Sequence, residues 1–335
     1  MAVAANALNI AQYAIMSRDP LVQAITFSLI DNGSVMADIP FVNRPALVAS
    51  GVRFEGNLPT VTWAQLNAEG TTTSGTPTPY QEQAYIIRNY IDVDKFYVLD
   101  ENQIVDPRAA QVAAYMKSVA YDFNHKFINN NHQTGDANAF VGLRFRLDNP
   151  AQWGLRSTNK IDAGGVDLSQ AGISATNANK FLEFLDQLLW SVDSPSGSNV
   201  VLYMNEVMLR RMHFALRTLG TNGGMAITRD QFDRTVLTYK DAVLRDIGYK
   251  ADQSTRIITT TETSTGADGA STFTSIYAVN YGTEHLFGWQ FAPLKAKDMG
   301  LLENGTVYRT LVDWAGGLYS ANNRSMARLF DIKIS

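Results

Sequence analysis

The stretch from Val105 to Asn130, VDPRAAQVAAYMKSVAYDFNHKFINN, constrains most tightly what this chain can fold into. Asp106 followed by Pro107 reads as a helix start. The carboxylate can accept the free N–H groups of the first turn, and proline has no N–H to leave unpaired there. Val112, Met116, Val119, Phe123 and Phe127 then recur at helical spacing, with Ala109, Ala113 and Ala120 beside them. Arg108, Gln111, Lys117, Ser118, Asp122 and Asn124 hold the other face, so the segment carries a single apolar stripe. The run from Asn129 to His132 ends it. The spacing predicts a helix over 105–130, a rod of roughly 37 Å at about 1.5 Å per residue. A rod that long with one greasy side is a beam that another layer must cover.

Residues 41–95 are of a different kind. FVNRPALVASGVRFEG and AYIIRNYIDVDKFYVLD both read as extended, with Tyr85, Ile87, Asn89, Ile91, Val93 and Lys95 on one strand face. Between them lies NLPTVTWAQLNAEGTTTSGTPTPYQEQ, which offers a core almost nothing beyond Val61, Trp63 and Leu66. Long structureless insertions are uncommon in compact domains and are often functional. The expected form is a long two-stranded arm. An isolated hairpin is marginal in water, so such an arm needs a partner surface.

The remaining segments read in order. In residues 1–40, Leu21, Val22, Ile25, Leu29 and Ile30 suggest a short amphipathic helix. FVGLRFRLDNP reads as an alternating strand through Phe140–Leu147, followed by a Gly/Asn/Ser-rich stretch at 148–175. A helix is expected at 176–193, with Phe181, Phe184, Leu185, Leu188, Leu189 and Val192 on one face. VVLYMN is a buried strand, EVMLRRMHFALRTLG a helix closed by Gly220, and TNGGMAITRD a loop. VLTYKDAVLRDIG, RIITTTET and TFTSIYAVNYG read as strands, which makes 176–282 one α/β subdomain. HLFGWQFAPLKAKDM, TVYRTLVDWAGGLYS and SMARLFDIKI are strand-like and return the chain toward the beam.

Chemistry is sparse. Charged residues are 18% of the chain, below the usual quarter of a soluble domain, which suits a protein that hides surface against other chains. A net charge of −4 gives no general affinity for nucleic acid. Without cysteine there are no disulfides and no thiolate metal sites. No Lys or Arg precedes Arg18, so a secretory leader is not expected, and no run approaches the roughly 20 apolar residues of a membrane span. The expectation is a soluble protein, intracellular when made. GxxxxGK[ST], GxSxG and HExxH are all missing. His125 and His132 lack a third ligand nearby in sequence and read as solvated caps. Asp92 and Asp94 read as an exposed strand face, and Arg210-Arg211 as a solvated helix face. No catalytic, cofactor-binding or metal residue is assigned.

The order of these parts resembles the tailed-bacteriophage major capsid protein family, the Hong Kong 97-type shell subunit. DANAFVGLRFRL is similar to the family's segment after its spine helix, and NVVLYMNEVMLRRMHFAL to its strand-Asn-helix passage. DQFDRTVLTYKDAVLRDIG, TSIYAVNYG and VYRTLVDWAGGLYSANNRSMARL are similar to its later sheet strands. The likeness spans nearly the whole chain and lies in order and spacing, not in one signature. It implies an α+β fold with an N-terminal arm at 1–40 and an extended loop at 41–95. A peripheral domain would take 96–175 and 291–335, including the spine helix at 105–130, and an axial domain 176–290. It implies a structural, non-enzymatic shell protein of the virion, assembled in the host cytoplasm as pentamers and hexamers of an icosahedral head. The head would enclose double-stranded DNA without sequence-specific binding, with portal and scaffolding proteins, a cement or decoration protein, and no membrane. Phe54, Val61, Trp63 and Leu66 would make the loop's contact with a neighbour. Val112, Met116, Val119, Phe123 and Phe127 would pack the spine, and Glu303, Arg309 and Asp313 would form ion pairs between subunits. An encapsulin-like compartment is the alternative with the same fold. A hydrolase using two of the 32 acidic residues is the reading from another class. Some members of the family join subunits through a lysine on the extended loop. Here the first lysine is Lys95, so a covalently crosslinked shell is not expected.

Overall fold

Helix formation at the beam follows its sequence closely. The structure, a computed structural model, describes residues 34–53, 58–99, 106–195, 197–220, 225–229, 235–263 and 272–334. Phe54 and the helix expected at 21–30 lie outside them. The chain order begins α1 (Ser34–Asp38), β1 (Phe41–Asn43), β2 (Val48–Arg53), β3 (Thr78–Gln83), β4 (Tyr85–Asp94), α2 (Lys95–Leu99) and α3 (Pro107–Asn129). The Asp106 carboxylate accepts from the Arg108 N–H at 2.9 Å, with Pro107 in the first turn. At the other end, the Asn130 amide donates to the carbonyls of Asp136 (3.0 Å), Ala139 (3.3 Å) and Phe140 (2.8 Å), so one side chain both stops the helix and pins the next turn.

After α3 come α4 (Leu143–Asp148), β5 (Lys160–Asp162), α5 (Ala175–Ser191), β6 (Val200–Met204), α6 (Glu206–Thr218), β7 (Met225–Arg229), β8 (Thr235–Tyr239) and β9 (Ala242–Asp246). β10 (Phe273–Asn280), β11 (Leu286–Leu301), β12 (Val307–Ser320) and β13 (Met326–Lys333) complete the chain. Among the described residues two larger sheets carry it, beside the two-stranded pair β2-β3. A four-stranded sheet runs β1-β11-β12-β4, and a mixed seven-stranded sheet runs β5-β13-β10-β6-β9-β8-β7. Val112, Met116, Val119, Phe123 and Phe127 of α3 are all buried. Phe123 meets Trp314 of the four-stranded sheet edge-on at 6.2 Å, and Phe127 meets Tyr203 of the seven-stranded sheet at 5.8 Å. The beam therefore ties one sheet to the other.

Strand periodicity divides the two cores. On β6 and β10, Val201, Tyr203, Tyr277 and Val279 face the core shared with α3. Their alternates Val200, Leu202, Met204, Ile276 and Ala278 face α5 and α6. Both helices are capped by side chains, Ser174 accepting from Asn177 N–H (3.2 Å) and Asn205 from Met208 N–H (2.8 Å).

Several expectations need correction. Phe140–Leu147 is not a strand, since 143–148 form α4. The segment fits both periods, and over so few residues pattern alone does not choose. Packing chooses. Gly142 sits on the end of α3, its N–H donating to Asn130 C=O at 2.9 Å. A Cβ there would lie 2.7 Å from backbone atoms of Lys126, Ile128 and Asn130, so only glycine lets the chain turn into a helix at that place. TNGGMAITRD contains β7, antiparallel to β8. RIITTTET makes only isolated bridges, through Arg256 and Glu262. KFYVL is the short helix α2, its first turn capped by Asp94, which accepts from Phe96 N–H at 2.8 Å. β4 does not form the arm, because it pairs with β12 in the four-stranded sheet. β13, grouped by sequence with the beam, hydrogen-bonds in the seven-stranded sheet.

Candidate functional site

The arm is smaller in its ordered part than its sequence suggests. β2 pairs with β3 from Val48↔Gln83 to Arg53↔Thr78, giving a six-residue stem. Beyond it, residues 58–77 contain neither helix nor strand. Val61 is 83% exposed, Trp63 98% and Leu66 94%. Large apolar side chains this open to water are a feature of interaction surfaces.

The stem is clamped to the body by buried charge. Arg146 of α4 and Glu82 of β3 are 1% and 4% exposed in their side chains and form a two-pronged pair, the second contact at 3.3 Å. Arg146 also donates to Val141 C=O (2.9 Å) and to the Tyr80 hydroxyl (3.2 Å), and its guanidinium lies 4.6 Å from the Trp153 ring. Tyr80 in turn donates to Glu82. Burial acts most strongly against the Arg146 charge, but Glu82, Tyr80 and Tyr85 together outweigh it and leave the group above its ordinary value. Burial also raises Tyr80, against the pull of Arg146. On the stem's other strand, Arg53 stacks 3.6 Å over the Tyr80 ring and donates to Trp153 C=O (3.2 Å), Gly154 C=O (3.3 Å) and Ser320 C=O. Ala49, Phe287, Trp289 and Tyr319 form a small apolar cluster beneath.

α4 serves as a junction because it is a helix. In a strand, Arg144, Arg146 and Asp148 would share one face. In a helix, residues four apart share a face, and the residue between them points away. Arg146 accordingly reaches the arm. Arg144 and Asp148 turn to the seven-stranded sheet, pairing with Glu262 (3.5 Å) and with Arg328 (3.2 Å) and Lys160 (2.7 Å). Arg328 and Glu262, 3.0 Å apart, are themselves buried, and both bond Ser275. No motif announced this double joint. The signal in the sequence was two arginines and an aspartate inside an otherwise apolar segment.

The residues expected to pair between subunits have the following neighbours within one chain. Arg309 is held within the chain by Asp92 (2.7 and 2.6 Å), its direct cross-strand neighbour, and that contact holds the Asp92 carboxyl below its usual range. Asp313 lies 4.0 Å from Arg88, also across the strand pair. Glu303 is exposed in the turn between β11 and β12. Of the two histidines at the end of the beam, His132, past the helix, contacts Tyr85 and the Ala139 carbonyl, and His125, within it, is lowered by burial and by Lys250. Among the described residues no cluster of three metal-ligand side chains occurs, and no helix is long and apolar enough to cross a membrane.

A family model described as "Major capsid protein GP7" matches residues 19–173. No curated protein matches in sequence. Among solved structures, the holo-SrpI encapsulin complex from Synechococcus elongatus PCC 7942 is similar with a TM-score of 0.58 at 11% identity, covering 89% of this chain and 86% of that one. Microbacterium phage Oxtober96 gives 0.53 at 13% identity over 91% of each chain. The capsid of a native GTA particle gives 0.52 at 11%, over 90% and 89%.

Proposed function

We propose that this chain, whose fold is that of the Hong Kong 97-type major capsid proteins, is a structural subunit that assembles with copies of itself into a closed shell. The carrying observation is the arm. Val61, Trp63 and Leu66 stand in water on a loop whose root is fixed by the buried Arg146–Glu82 pair. A rigid clamp holding an apolar tip away from its own core is built to meet another surface, and the symmetric form of such self-contact is a closed assembly.

In this reading the four-stranded sheet with α3 and α4 is the peripheral part, the seven-stranded sheet with α5 and α6 the axial part, and the β2–β3 arm, within the 41–95 stretch, the extended loop. Pentamers and hexamers would form the head of a tailed phage around double-stranded DNA, with portal and scaffolding proteins and an added cement protein, assembled in the host cytoplasm. The role is structural, with no reaction catalysed. The family match at 19–173 supports the phage reading. Likeness to the encapsulin complex supports the second reading, a cargo compartment of the same fold.

Sedimentation and negative-stain microscopy of the purified protein test the proposal. Rings or closed particles are expected. A monomer across a wide concentration range, with the 58–77 loop resistant to protease, would overturn it. Co-purifying nucleic acid or scaffold separates a phage head from a compartment holding an enzyme.

A further inference from the structure

We propose that the outward face of α6 is a contact surface for the phosphate backbone of double-stranded DNA, held by Arg210, Arg211 and Arg217. This rests on the shell reading above and names the face that meets the enclosed nucleic acid. α6 reads EVMLRRMHFALRT, and Met208, Met212, Ala215 and Leu216 are buried along its inner side. Glu206, Arg210, His213 and Arg217 follow one another at helical spacing and so share the opposite side. Arg210 and Arg217 lie about 10 Å apart along the axis. Arg211 lies on the flank, and Phe214 and Thr218 fill the exposed face without charge. The helix's one carboxylate, Glu206, is already paired with Arg256 at 2.7 Å and lies 3.7 Å from Arg210, whose side chain stays 73% exposed. Among the described residues, Arg211 and Arg217 have no carboxylate within ion-pair distance.

This positive charge is local. The chain as a whole carries −4, and α5, on the same side of the seven-stranded sheet, balances Lys180 against Glu183 and Asp186 against Lys240 at 2.7 Å. The shape of the face fits one kind of partner. A bound peptide takes a groove or an open strand edge, whereas α6 offers a convex row of guanidinium donors. Phosphate oxygens need only such donors, which bind them in two-pronged fashion, and no base has to be read. Strength follows from number. Three cations on a net negative body hold a duplex weakly in one copy, but a shell repeats the face in every copy, and linked weak contacts reinforce one another. DNA inside a closed head reaches α6 only from within, so the same inference puts this face on the inner wall.

Fluorescence anisotropy of a short labelled DNA duplex with the unassembled full chain tests the contact. The parent should bind at low salt, with a log–log salt slope of about −2 to −3 for three phosphate contacts. Arg210→Glu combined with Arg217→Glu should weaken binding about tenfold or more and flatten the slope by about 2. Lys295→Glu combined with Lys297→Glu, at exposed positions on β11, changes the net charge equally and should leave the slope unchanged. Far-UV circular dichroism near the parent's checks that both double variants are folded. The chain has no cysteine, so Thr218→Cys on α6 reports from particles. A maleimide on a polymer too large to enter the shell should label it only after the particles are opened. No duplex binding by the parent at low salt, or equal loss in the two double variants, would overturn the proposal. So would displacement of the duplex by poly-glutamate at equal charge, which assigns the face to an acidic protein, or labelling in intact particles. Each of these results leaves the shell reading standing. Failure of the parent to form particles would instead overturn the shell reading, and this assignment with it.

Discussion

Breaking the Arg146–Glu82 pair should be far more damaging than removing it as a unit. Arg146→Met leaves the Glu82 carboxylate 4% exposed with the Tyr80 hydroxyl as its remaining partner among the contacts described above. Stranding one half of a buried ion pair costs about 3–5 kcal/mol. Unfolding entropy near 2.1 cal/mol/K per residue over 335 residues is roughly 0.7 kcal/mol/K, so Tm should fall by roughly 4–7 °C. Glu82→Gln strands the guanidinium instead and should cost a similar amount. The double variant buries a neutral amide that Tyr80 can still bond. It should be destabilised by clearly less than the sum of the singles, a coupling of about 3 kcal/mol. Acid should relieve Arg146→Met specifically, because a neutral carboxyl costs less to bury than a carboxylate. The assay is thermal unfolding of the unassembled subunit at neutral and mildly acidic pH. Additive single effects, or an Arg146→Met penalty unchanged by acid, would refute the idea that buried charge clamps the arm.

Phe123→Ala, opening a hole between Phe140 and Trp314, should cost about 3–5 kcal/mol in folding, whereas Lys117→Ala should stay within about half a kcal/mol; equal melting of the two would contradict the packing of α3. Replacing residues 60–76 with a short Gly-Ser turn should leave far-UV circular dichroism near the parent's but abolish particles on microscopy, and normal particles would sink the arm's role. Purified particles boiled in detergent should run as one band near 36.9 kDa, since no lysine precedes Lys95, and a surviving ladder of multimers would show a different nucleophile. Asp252, bonded by the Thr255 hydroxyl and by the N–H groups of Thr255 and Ser254, should titrate at about 2, measured by carboxyl NMR. Its carboxyl is depressed when folded, so its stabilising contribution is complete above the ordinary value of 3.8 and disappears as pH falls through about 2. An ordinary titration there would mean that the turn is not formed.

By itself the sequence determined the elements whose signals are local and repeated. Asp106, Pro107 and a stripe sustained from Val112 to Phe127 leave α3 no alternative, because cap chemistry and period agree over six turns. The helices α5 and α6 and the strands β6 and β10 were legible for the same reason. The poverty of the 58–77 loop was also visible, because what it lacks is composition. Tertiary structure decided the rest. Leu143–Asp148 satisfies two periods, and only the contact of Gly142 with the end of α3 makes it a helix. That choice turns Arg146 toward the arm and Asp148 toward the seven-stranded sheet. Sequence alone offered Arg309 as an ion-pair partner between subunits, and only register puts Asp92 of the same chain opposite it. The packing of α3 on the four-stranded sheet needs Phe123 and Trp314, nearly 200 residues apart, to meet in space. Pairings between distant residues depend on how whole elements pack, and a local pattern carries no record of the neighbour that packing will bring.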